Sequence, residues 1–164
     1  MVDGGVIVKR RFRIPAHRRL AAIGAAAKLG HGAAISILEE MAFGNGHVPG
    51  ARCAARYLSD APYHPNLEIV LDAITARKNI QERGLLQLVQ KLPTMEFAVA
   101  IAALQRANGN VTTPALLAQL QRKRNRGAFE TPSLDAREGL RAALQDLPNL
   151  RGDIERILGV DLSS

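Results

Sequence analysis

Apolar residues at helical spacing, in segments each closed by a glycine or a proline, leave this chain little choice but short helices. From Asn66 onward, Leu67, Val70, Leu71 and Ile74 fall at i, i+3, i+4 and i+7, and Leu85, Leu88, Val89 and Leu92 repeat the spacing. Residues so placed share one side of a helix and need a common apolar neighbour. Met95 to Leu104 is apolar almost all round, the pattern of a helix buried on every side. Punctuation agrees: Thr94 is expected to cap that helix and Asn108-Gly109 to stop it. Thr113-Pro114 opens the next, which Gly127 ends. Two more are expected at about Leu134–Leu147, stopped by Pro148, and Leu150–Leu158, stopped by Gly159. The composition points the same way, with no Trp, two Tyr and four Phe among 164 residues. An alanine-rich, aromatic-poor chain suits helices at close range better than sheets. Leu71, Leu88, Val99, Ile101, Leu104, Leu120 and Leu144 are the expected core.

The start of the chain reads differently. From Val6 to Ile14, Val6, Val8, Phe12 and Ile14 alternate with Ile7, Lys9, Arg11 and Arg13, a period of two that predicts a strand. Arg10 interrupts its apolar side, and Pro15 ends it. A helix to about Leu29, halted at Gly30, precedes a second from about Gly32 to Phe43. Gly44 to Gly50 forms a loop, and Pro49 to Asp60 a further short helix. The expected fold class is all-α: a compact bundle of eight or nine short helices preceded by one N-terminal strand or extended basic arm. A single domain, 1–164, accommodates it, with an N-terminal sub-unit, 1–46, and a helical body, 47–164.

Little here suggests chemistry. Glu39 and Glu40 are helix neighbours about 100° apart, so they cannot share a proton. His17, His31, His47, His64 and Cys53 show no metal-ligand spacing, and His47, Cys53 and His64 make a poor zinc set. Gly44, Gly46 and Gly50 lack the Lys-Ser/Thr of a phosphate loop. No catalytic residue, metal or cofactor is therefore expected, and the protein is read as no enzyme. Phe97–Leu104 is too short to span a bilayer. Charged residues break up any signal peptide, and one serine, Ser36, is few for a transit peptide. A cytoplasmic protein without a membrane partner is expected.

Charge is the informative property. The net charge is +7, but residues 1–28 alone carry seven Lys/Arg against Asp3, and Arg122-Lys123-Arg124-Asn125-Arg126 adds four more. The remainder, with eleven basic and fourteen acidic residues, is slightly negative. A near-neutral body with two basic clusters is the footprint of a surface that meets polyanions. The candidate nucleic-acid-binding residues are Lys9, Arg10, Arg11, Arg13, Arg18, Arg19, Arg122, Lys123, Arg124 and Arg126. On a strand, Lys9, Arg11 and Arg13 would stand about 6.6 Å apart, near the ~7 Å between successive phosphates.

The order strand, helix, glycine turn, helix within residues 6–44 resembles the ribbon-helix-helix family of DNA-binding proteins. Phe12-Arg13-Ile14-Pro15, Leu20, Ile23, Gly30-His31-Gly32, Ile35 and Leu38 carry the resemblance. It implies a homodimer whose Lys9, Arg11 and Arg13 face base edges in the major groove. Amides near Gly32 and Ala33 would hold a phosphate. The family's usual Ser or Thr at the start of the second helix is replaced by Gly32-Ala33. Separately, Met95–Ala107, the Asn108-Gly109-Asn110 turn and Thr113–Arg126 are similar to a helix-turn-helix, with Thr112 and Thr113 placed to reach phosphates. Its basic run, however, lies at the far end of the second helix.

These features favour a small nucleic-acid-binding or nucleoprotein-complex accessory protein, acting on duplex or backbone without catalysis. Few aromatic residues accompany the basic runs, which disfavours stacking on single strands. The alternative is a helical adaptor or structural subunit of a protein complex that contacts acidic protein surfaces.

Overall fold

The computed structural model describes residues 16–44, 50–76, 83–109, 113–127 and 133–163. Among the described residues the chain is all helical, in nine helices. The expected N-terminal strand or arm lies outside the described residues, as do Lys9, Arg10, Arg11 and Arg13.

Helices α1 (Ala16–Lys28) and α2 (Gly32–Phe43) pack on each other and on α3 (Ala51–Asp60). The turn between α1 and α2 is closed by hydrogen bonds from Gly30 N to Ala27 O and from His31 N to Ala26 O. That pairing needs a left-handed residue at the helix end, and Gly30, at φ 86°, adopts it without a Cβ penalty. Gly24 serves a different purpose. It lets α1 approach α3 so closely that a Cβ there would lie 2.4 Å from the Tyr57 ring.

The chain continues through α4 (Leu67–Ala76), which packs on α6 (Thr94–Asn108) and touches α2, and α5 (Arg83–Val89), which packs on α3. As its pattern predicts, α6 is the most buried helix: Phe97, Ala98, Ala100, Ile101, Ala102 and Leu104 are fully enclosed. It contacts α7 (Thr113–Arg126) and α8 (Leu134–Leu144), and α7 and α8 each meet α9 (Pro148–Leu158). One apolar cluster draws residues from all nine helices.

Of the expected core, Leu88, Ile101, Leu104, Leu120 and Leu144 are fully buried. Val99 and Leu71 are only half-buried. Val99 lies on the Met95–Val99–Ala103 stripe of α6, the side its neighbours cover least. On α4 the inward side is Val70, Ala73 and Ile74, which leaves Leu71 at its margin.

Helix ends differ from expectation in α3, α6, α8 and α9; α3 begins at Ala51, after Gly50, rather than at Pro49. Pro93, not Thr94, occupies the N-cap of α6, so Thr94 is its first helical residue. Helix α8 stops at Leu144 rather than Leu147, because Leu147 precedes a proline and takes a non-helical conformation, φ −127° and ψ 65°. Pro148 then starts α9, where its missing N–H costs nothing. Ser133 caps α8, its Oγ accepting from Ala136 N at 3.2 Å.

Candidate nucleic-acid interface

Helix α7 carries its charge at one end. Its inward stripe is Thr113, Leu116 and Leu120, which dock on the core. A neighbouring stripe, Gln119, Arg122, Lys123 and Arg126, recurs at i, i+3, i+4 and i+7 and so shares a side of the helix. Opposite it stand Gln90 and Pro93 from the α5–α6 connection and Thr94 from the first turn of α6. Together with the buried Phe97 and with Gly127 they enclose a groove of about 530 Å³.

The groove is electrostatically one-sided. Among the described residues its lining holds three cations, Arg122, Lys123 and Arg126, and no carboxylate. Arg122 and Arg126 are exposed, and no hydrogen bond or ion pair joins either to the described residues. Lys123 is half-buried and donates from Nζ to Gln90 O at 3.0 Å. Burial lowers its pKa from the ordinary lysine value. An ammonium has three donors, so this bond leaves capacity for an anion. Arg124, half-buried, lies outside the lining. Thr94, relieved of capping, presents a half-buried hydroxyl with no hydrogen-bond partner among the described residues.

Arg18 and Arg19, the other described candidates, are exposed in the first turn of α1, where no acidic residue accompanies them. Cations at a helix N-terminus oppose the macrodipole, so the folded helix gains nothing from them there. The helix-turn-helix resemblance loses one of its supports. Thr113, expected to reach a phosphate, is 7% exposed and donates from Oγ1 to Gln105 Oε1 at 3.4 Å.

Sequence reasoning missed Gln90, Thr94 and Gln119. Only Gln119 carried a signal, lying one turn before Arg122 and Lys123. The other two reach the groove through the packing of α6 on α7. Elsewhere Cys53 and His64 are exposed, while His47 lies outside the described residues. Among the described residues no three His, Cys, Asp or Glu side chains are grouped as metal ligands, and no helix is long and apolar enough to cross a membrane. Compared with known proteins, the chain matches no family model, no curated protein and no solved structure.

Proposed function

We propose that this protein is a small nucleic-acid-binding or nucleoprotein accessory protein that holds the phosphate backbone electrostatically and performs no chemistry. The observation that carries the reading is the basic end of α7, where Arg122 and Arg126 stand exposed beside Lys123 in a groove that no carboxylate lines among the described residues. Arg18 and Arg19, exposed at the start of α1, are a separate basic pair in this reading. Lys9, Arg10, Arg11 and Arg13 join them in this reading, as a ribbon or an extended arm. The ribbon-helix-helix resemblance and its homodimer belong to this reading as the form that the N-terminal contacts would take.

The test is binding to a mixed-sequence duplex as salt is raised. Contact with about six phosphates predicts an affinity loss of ~10³-fold or more between about 50 and 200 mM salt. Absence of binding at low salt would overturn the proposal. A second reading, a helical adaptor for a protein assembly, draws on Leu29 and Leu134, which are 81% and 76% exposed. A leucine so placed gains from a protein neighbour, whereas a phosphate backbone offers it nothing.

A further inference from the structure

We infer that the groove between the α5–α6 connection and the end of α7 seats a phosphodiester unit of a nucleic-acid strand, an inference that rests on the function proposed above. Long-range attraction to phosphates needs only a basic face. This surface is concave instead, and its ~530 Å³ falls within the ~300–1,000 Å³ of sites that enclose small ligands. Its walls differ in kind. One bears Arg122, Lys123 and Arg126, and the other offers the neutral donors of Gln90 and Thr94.

Gathering three cations without a carboxylate in the lining, among the described residues, is unfavourable until an anion enters. The C-terminal dipole of α7 offsets only about half an elementary charge of it. Arg122 and Arg126 lie one turn apart and can each fork onto non-bridging phosphate oxygens. Lys123 is tethered to Gln90 O at 3.0 Å, which places its charge at the edge between the two walls. Thr94 then supplies a hydroxyl on the wall facing the cations. A phosphodiester suits this set because it accepts from charged forks on one side while its sugar and base edges meet neutral donors on the other.

The test compares the full-length protein with two variants, Arg122→Gln/Arg126→Gln and Thr94→Val. The probes are a fluorescein-labelled single-stranded oligonucleotide, its duplex, and labelled polyglutamate of equal charge. Unfolding temperatures establish that the variants are folded, as expected for exposed arginines and an isosteric Thr→Val change. The double variant is expected to lose at least about tenfold in affinity, with the slope of log K against log salt falling by about one to two. Thr94→Val is expected to lose about fivefold with the slope unchanged, since it removes a neutral hydrogen bond to the sugar or base edge but no charge. Loss on the single strand, the duplex or both supports the seat and identifies the strand form it takes.

Parental affinity in Thr94→Val would mean that the cations form a diffuse patch, and the seat would be overturned. Parental affinity in the double variant would remove the groove from binding while leaving the nucleic-acid reading intact. Failure of the parent itself to bind any oligonucleotide at low salt would overturn that reading and the seat with it. Tighter binding to polyglutamate than to either oligonucleotide would assign the groove to an acidic protein instead.

Discussion

The Lys123 ammonium donates a hydrogen bond to the main-chain carbonyl of Gln90 across 3.0 Å, tying the last turns of α7 to the exit of α5. The same device recurs on the next residue of that exit. Lys91 donates from Nζ to Ala61 O at 2.8 Å and lies 3.4 Å from Tyr63 O. Helix C-termini leave carbonyls without partners, and here lysines from elsewhere in the fold meet the carbonyls beyond α3 and α5. A residue in a basic run thus has structural work as well as an electrostatic role.

Lys123→Met is therefore expected to destabilise the protein, by about 1 kcal/mol, because the stem still packs while the Gln90 carbonyl loses its donor. Arg122→Gln, one residue away and exposed, should leave the unfolding temperature unchanged. Chemical denaturation of the two variants side by side checks the difference.

Gly24→Ala should cost about 1–3 kcal/mol, although alanine is the better helix former. Its Cβ would sit 2.4 Å from the Tyr57 ring and 2.5 Å from Tyr57 Cγ, close to the root of that side chain, so α1 and α3 must part. Combining it with Tyr57→Ala should make the two changes non-additive, the second relieving much of the strain of the first. Thermal unfolding of the four-protein cycle measures the coupling.

Ser133→Ala removes the side-chain bond to Ala136 N that caps α8 and is expected to cost ~1 kcal/mol. Ser133→Gly should cost only a few tenths. Local hydrogen exchange at the amides of the first turn of α8, Ala136 above all, should rise in Ser133→Ala before the rest of the fold loosens.

Tyr63 predicts a pH dependence. Burial, then the nearby Glu39 carboxylate, raise the pKa of its phenol above the ordinary ~10. Above about pH 10 the unfolded chain releases this proton while the folded chain keeps it, so stability falls as pH rises. Lys91 and Lys123, whose pKa values burial lowers, act in the opposite sense as pH approaches 10.5, because the cost of burying their charge fades. Tyr63→Phe should therefore flatten the alkaline fall, because it removes the phenol whose proton burial and Glu39 retain. Denaturation midpoints from pH 7 to 11 decide it.

Much of the fold was legible from residue order alone, and the reason is local. An amphipathic helix declares itself by spacing, and its ends by glycine and proline. The bounds of α2 and α7 and the stops at Gly30 and Gly159 emerged from that grammar, as did the central place of α6, although its Met95–Val99–Ala103 side is only half-buried. Expectation failed where two local signals competed. At Thr94 a good capping residue followed a proline that took the cap, and at Leu147 a helical pattern ran into the backbone restriction imposed by Pro148. Leu71 and Val99 show a second limit, since spacing defines a stripe but not which edge of it a neighbour covers.

The charge of α7 was equally plain in the sequence, because like charges four residues apart must share a side of a helix. What the tertiary structure decided is the difference among those charges. Lys123 is half-buried and tethered to Gln90, while Arg122 and Arg126 stand free of bonds to the described residues, and all three face Thr94 across a groove. Gln90 and Thr94 are about thirty positions away in the chain, and no local rule relates them to α7. Only the packing of α6 against α7, driven by burial of Phe97 and Leu120, brings the two walls together.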